Sequence, residues 1–511
     1  MSGRAGRGAR GPRPGRARRG AGEEPVAVRE PLWGPPRGWR GRGGGRAAVI
    51  EAPGLWRGTT VQANGLWPFV AGSGSPLVGA PLGRNLFSGA MVCCDPVSWF
   101  TRASLVGNPS CFVLGNPGLG KSTAIRRMVT FLAACGVVPF VLGDLKPDYP
   151  PLVEALGGQV IRLGRGRGGV NVLDLGEAPA AAARLRAAGR EDLAGQVLAD
   201  ARGRRANLVS ALVTIVRHDR PSDREETVIA TALDLLDRRR EGAPPPVMAD
   251  LLRTVQDRPP ELSEVAIDRG DEAKYRQMTE GVEASLMALC GAGRLGDSFA
   301  RPTATPMLRD RAVVFDLSAI EDSDDDLQAA ALMACWSTGF GAVGVAQTLA
   351  DAGLEPRRNH FVVSDELWRA LRLGHGMVDR YDAVSRLNRT LGVGKADLSH
   401  TIKDLTSMPE VSDQQKAKGL VERSGLLLLG GLPRSEMALL REVVDLSDAE
   451  ADLLVSWSSP PAFDTRRQGL AEPPGRGNFL IKVGGRPGIP VHIDLTAAEL
   501  AVNDTNQRWH D

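Results

Sequence analysis

Gly115-Asn116-Pro117-Gly118-Leu119-Gly120-Lys121-Ser122 satisfies every fixed position of the pattern G-x-x-x-x-G-K-[ST]. In such a turn, glycines let backbone N–H groups close around phosphates at a helix N-terminus, where the peptide dipoles favour negative charge. The chemistry implied is binding of a nucleoside triphosphate. Lys121 would hold the β- and γ-phosphates, Ser122 would hold Mg²⁺, and the cradle would run from Gly115 through Thr123. A second landmark is the acidic pair Asp365-Glu366, which follows the apolar run His360-Phe361-Val362-Val363-Ser364. In phosphate-loop enzymes, one carboxylate at a strand end takes the metal and a neighbour polarises the attacking water; Asp365 and Glu366 fit those two roles. Asp365 lies 244 residues beyond Lys121, so the fold has to bring the two motifs together.

The flanks suit that task. Cys111-Phe112-Val113-Leu114 reads as a buried strand entering the loop, and Thr123-Ala124-Ile125-Arg126-Arg127-Met128-Val129 continues out of it as a helix. Further strands are expected at residues 137–142, 159–163, 312–317 and 426–429, with a final hairpin near 479–495. Residues 391–399 read as a weak strand, because Gly392-Val393-Gly394-Lys395-Ala396-Asp397 is poor in strand formers. A long Ala-rich helix is expected over about residues 325–352. Strands alternating with helices imply an α/β fold, a mostly parallel sheet covered on both faces with its site at the carboxyl ends of the strands.

Length divides the chain further. At 511 residues it exceeds what one hydrophobic core usually supports. Residues 1–46 are dominated by Gly, Arg and Pro, have almost nothing to bury, and are expected to be a disordered tail. Residues 47–108 alternate short apolar runs with Gly and Pro turns, suggesting a β-rich lead-in. Residues 109–176 carry the loop, and 301–511 carry the acidic pair. Between them, residues 177–300 lose all strand signals and read as an inserted helical subdomain.

The net charge of +3 conceals an asymmetry, since the first 46 residues contribute 12 Arg and 3 Glu, leaving the remainder at −6. An acidic body argues against strong intrinsic nucleic-acid binding. The six cysteines show no metal-ligand spacing and read as reduced thiols, and the histidines are scattered, so Mg²⁺ is the only metal implied. No run approaches the roughly 18 apolar residues that span a bilayer.

Taken in order, Gly115 to Ser122, Asp144-Leu145-Lys146-Pro147-Asp148-Tyr149, Asn171-Val172-Leu173-Asp174, Val314-Phe315-Asp316-Leu317, Ser364-Asp365-Glu366-Leu367-Trp368 and His400-Thr401-Ile402-Lys403-Asp404-Leu405 resemble the VirB/TraC class of type IV secretion and conjugation ATPases. The resemblance covers roughly residues 50–511. It implies a RecA-like P-loop motor of the HerA/FtsK kind, with ATP and Mg²⁺ as cofactors and a homo-oligomer, usually a hexamer. It also implies a cytoplasmic location, docked on inner-membrane channel components that pass DNA or nucleoprotein. Such motors carry a Gln after the sensor strand to sense the γ-phosphate; His400 stands there in this chain. Asp148 stands where Glu is commoner, and the family's sizeable N-terminal domain is not evident.

The resemblance also implies an arginine supplied by a neighbouring subunit. Candidates are Arg386, Arg389, Arg434 and Arg486, with Arg389 preferred. Trp368 is expected to pack in the core rather than stack on a base, and Asp144 and Asp316 to cap strand ends. The readings that follow are an ATPase powering conjugation or secretion, a DNA-pumping translocase of the coupling-protein or FtsK type, or a nucleotide-gated scaffold with little turnover.

Overall fold

The computed structural model describes residues 77–503 apart from residues 165, 241–242, 291–294, 373–376, 387–390, 409, 462, 465–468 and 471. The expected tail, the lead-in up to residue 76 and Arg389 lie outside the described residues. Thirteen strands occur among those described: β1 (Pro81–Asn85), β2 (Met91–Cys93), β3 (Ser110–Leu114), β4 (Val138–Asp144), β5 (Gln159–Arg162), β6 (Val313–Asp316), β7 (His360–Ser364), β8 (Val393–Leu398), β9 (Leu426–Leu429), β10 (Phe463–Asp464), β11 (Gly469–Leu470), β12 (Asn478–Lys482) and β13 (Ile489–His492). Eleven form one sheet in the order β2-β1-β13-β12-β9-β3-β8-β7-β4-β6-β5, while β10 and β11 pair separately. From β9 to β5 every neighbour is parallel; from β2 to β9 every neighbour is antiparallel. The described part of the lead-in therefore extends the main sheet instead of standing before it, because β1 pairs with β13.

Period-two alternation explains why both faces are covered. Phe112 and Leu114 of β3 enter one apolar cluster, with Phe140 and Leu142 of β4 and the long helix Asp325–Asp351. Cys111 and Val113 enter the other, with Ala124, Ile125 and Met128 of the helix Lys121–Ala134. Seven helices among the described residues, from Ala178–Ala187 to Gly296–Phe299, separate β5 from β6, and several of them share the first cluster with the sheet. The helix Asp325–Asp351 corrects one expectation, since by length and composition it could cross a membrane. Its apolar window is 67% buried within the protein, so its hydrophobicity is explained by its place on the sheet.

β8 corrects another. Instead of a weak strand it is central, bonded to β3 on one side and β7 on the other, with all six residues buried. Its two charged residues form an ion pair, Lys395 Nζ lying 2.7 Å from Asp397 Oδ2, and the Tyr381 hydroxyl donates to Asp397 Oδ1. Its glycine is required by space, because a Cβ on Gly394 would come within 2.4 Å of Val97 Cγ2.

His360 opens β7, fully buried, its ring centroid 5.0 Å from that of Phe140. Burial disfavours the imidazolium and lowers the pKa to about 4. Unfolded chain takes up a proton below about pH 6.5 that the folded chain refuses until about pH 4, so acid selectively favours unfolding across that window. Between pH 7.5 and 5 this one residue should remove about 2 kcal/mol of stability. Urea unfolding of His360→Phe at the two pH values should show a correspondingly smaller loss than wild type; equal losses would dismiss His360 as the source.

Candidate functional site

Chain leaving β3 turns through residues 115–120 and enters the helix Lys121–Ala134. Left-handed φ values at Gly118 (77°) and Gly120 (98°) make this turn accessible to glycine and costly for other residues. Three neighbours pin its backbone. Gly115 N–H donates to the His400 carbonyl (2.9 Å), Asn116 N–H to the Gly431 carbonyl (2.9 Å), and Gly477 N–H to the Leu119 carbonyl (3.0 Å). Pro117 and Gly118 form the exposed crest, while Leu119 is buried beneath. Lys121 folds back over the loop, its Nζ donating to the Gly115 carbonyl at 2.7 Å and the Asn116 carbonyl at 3.3 Å. Ser122 and Thr123 follow in the first helical turn, their hydroxyls without a hydrogen-bond partner among the described residues.

The acidic pair sits at the carboxyl end of β7. Asp365 Oδ2 accepts from the Tyr149 hydroxyl at 3.0 Å, and Oδ1 accepts the Glu366 N–H at 2.9 Å. Glu366 adopts φ 51°, left-handed backbone that a non-glycine residue occupies at a cost of roughly 1–3 kcal/mol and that clusters at functional sites. Its carboxylate takes three donors: Lys146 Nζ on Oε1, Trp368 Nε1–H on Oε2 at 2.6 Å, and His400 Nε2 near Oε2 at 3.0 Å. Burial alone would raise this carboxyl; the hydrogen bonds from His400 and Lys146 override it and hold the pKa well below the usual carboxylate range.

His400 joins the two motifs. Lys121 Nζ lies 2.9 Å from His400 Nδ1, and an ammonium can only donate. Nδ1 is therefore the acceptor, and the neutral imidazole carries its proton on Nε2, facing Glu366. The chain Lys121–His400–Glu366–Lys146 crosses the ends of β3, β8, β7 and β4, four consecutive strands of the sheet.

Lys121 is buried, which lowers its pKa to about 8 despite the attraction of Glu366 and Asp365. A buried ammonium arched over a glycine turn at a helix N-terminus, with an unpartnered hydroxyl beside it, suits a phosphate group. Ser122 and Asp365 carry oxygens of the hard kind that Mg²⁺ prefers, and would be the residues to hold it.

The structure thus joins Lys121, His400 and Glu366 through hydrogen bonds. Arg434 pairs with Asp452 on the surface at 3.2 Å, Arg486 is exposed, Arg386 ends the helix Met377–Arg386, and Arg389 is outside the described residues. Asp144 and Asp316 do cap local turns, accepting the N–H groups of Tyr149 (2.8 Å) and Ser318 (3.0 Å). Trp368, partly buried, packs against the core as expected and in addition serves Glu366 as a donor. Lys146 and Tyr149 had no assigned part. Their signal was the polar turn after β4, which matters only once β4 is known to lie beside β7.

No protein-family model matches the chain, and no curated protein matches it. Solved structures do. VirB4 of Thermoanaerobacter pseudethanolicus aligns with a TM-score of 0.58 at 19% identity, covering 84% of this chain and 99% of that one. The bacterial conjugative coupling protein TrwB aligns at a TM-score of 0.44 and 13% identity, covering 76% of this chain and 85% of that one. The mostly parallel sheet of this chain, the helices that cover it and the VirB4 alignment together show the RecA-like P-loop fold.

Proposed function

We propose that the chain is a Mg²⁺-dependent ATPase that drives a conjugation or type IV secretion apparatus. The observation that carries the reading is the direct coupling of the phosphate-loop lysine, Lys121, to the strand-end carboxylate Glu366 through His400. In this reading the backbone from Gly115 to Thr123 cradles the phosphates, Lys121 holds the terminal ones, and Ser122 with Asp365 holds the metal. Glu366 orients and polarises the attacking water, and His400 positions both Lys121 and Glu366. Bound Mg-ATP would supply the phosphoanhydride to be cleaved and a cation to offset the charge on its phosphates.

The remaining assignments belong to the same proposal. Residues 109–176 and 301–511 form the motor and 177–300 its helical subdomain. The working unit is a homo-oligomer, a hexamer in the family it resembles, with Arg389 reaching the neighbouring site. It works at the cytoplasmic face of the membrane through channel components. Engagement of both Glu366 oxygens favours a second reading, a scaffold that binds nucleotide and hardly turns it over.

Lys121→Ala separates binding from everything else. Removing the buried ammonium should weaken nucleotide binding by roughly a hundredfold, measured by titration with a fluorescent ATP analogue. Undiminished affinity would refute the assignment of the loop. Turnover of Mg-ATP by wild type then decides between motor and scaffold.

A further inference from the structure

A cavity of about 330 Å³ lies between the helix Glu191–Arg217, the long helix Asp325–Asp351 and the stretches around residues 174–177 and 303–307. Arg204 lines it, and the guanidinium rests on the long helix where two glycines leave room. A Cβ on Gly341 would sit 3.3 Å from Arg204 Nε and Nη2, and one on Gly344 would sit 3.9 Å from Nη1. Any larger residue at 341 would press on the group.

Arg204 is not neutralised there. Among the described residues it makes no hydrogen bond and no ion pair within 4 Å, although its neighbours do. Arg205 holds both oxygens of Asp237 at 2.8 Å, and Arg202 shares that carboxylate at 3.0 Å. Burial disfavours the charge on Arg204 and lowers its pKa, opposed by Asp200 one helical turn earlier. Of the acidic residues of the wall, Glu177 pairs with Arg309, and Asp174 Oδ1 accepts the N–H of Gly176 at 2.8 Å. Ser337 and Thr338 face the same space, their hydroxyls without a hydrogen-bond partner among the described residues. The rest of the wall is largely apolar, and the volume is at the lower end of ligand-sized pockets, roughly 300–1,000 Å³.

We propose that this cavity binds a small organic anion, its oxyanion on Arg204 with the Ser337 and Thr338 hydroxyls and its apolar body against the walls. A planar guanidinium recognises carboxylate and phosphate alike, so the shared chemistry is the oxyanion. Its occupant would bridge a helix of the region between β5 and β6 to the helix covering the sheet. The site is separate from the phosphate loop and does not depend on what that loop binds.

Hexanoate and hexyl phosphate are suitable probes, titrated against the full chain by isothermal calorimetry and followed by thermal shift. Saturable binding of at least one is expected in wild type and equally in Lys121→Ala, which removes the loop's anion contact. In Arg204→Met, which keeps the stem, affinity should fall at least tenfold, the equivalent of one charged hydrogen bond. Thr338→Val, nearly isosteric, should weaken binding severalfold even if Arg204→Met fails to fold. Whichever probe binds more tightly identifies carboxylate or phosphate as the group preferred. The proposal is overturned by no saturable binding of either probe, by binding unaffected in both cavity variants, or by binding lost in Lys121→Ala alone.

Discussion

Glu366→Gln should reduce Mg-ATP turnover by about a thousandfold while leaving nucleotide binding within severalfold of wild type. The size follows from removing a positioned base, which contributes roughly 10²–10⁴-fold. Binding survives because Glu366 does not belong to the phosphate cradle; Lys121 retains its two carbonyl partners in the loop. A side effect is expected from the hydrogen-bond inventory. The carboxylate accepts from Lys146, Trp368 and His400, whereas an amide offers one accepting oxygen and one donating nitrogen. One of those donors then faces an NH₂ group, costing about 1 kcal/mol of local stability. Steady-state hydrolysis beside analogue binding checks both halves, and turnover matching wild type would remove Glu366 from the chemistry.

The elements that carry the chemistry were readable because their local signals agree with their burial. β3 and β7 are short and fully buried, with apolar runs at Cys111–Leu114 and Phe361–Val363 that read as strands. β8 resisted reading for a physical reason. Its Gly394, Lys395 and Asp397 look unsuited to a strand until Val97, Tyr381 and the neighbouring backbones are in place. Strand propensity here is decided by tertiary contacts. Lys146 and Tyr149 were hidden differently, since only the order β7-β4 places the turn after β4 against the acidic pair. Spatial order is also why the Arg204 cavity left no mark in the sequence: it joins residues 204 and 338 from helices that are distant along the chain.

His400→Leu and His400→Gln should part company, and the difference between them tests how the site is wired. The neutral imidazole accepts from Lys121 at Nδ1 and donates to Glu366 from Nε2, two opposite functions on one rigid ring. Leucine supplies neither. It leaves Lys121 with only the carbonyls of its own loop and deprives Glu366 of a donor on its buried side, so lysine and carboxylate no longer hold each other in register. Misplacement of catalytic groups by about an ångström costs on the order of a hundredfold, and that is the loss expected in kcat for His400→Leu. Glutamine carries an accepting oxygen and a donating nitrogen on one planar amide, so it can make both bonds. His400→Gln should therefore stay within about threefold of wild type in kcat and in nucleotide affinity. The same equivalence explains why a chain resembling motors that carry glutamine can hold histidine at this position. Kinetics of the two variants, with analogue binding measured in parallel, read the outcome directly. Wild-type behaviour in His400→Leu, or a glutamine variant as impaired as the leucine one, would show that the bridge from Lys121 to Glu366 has no part in turnover.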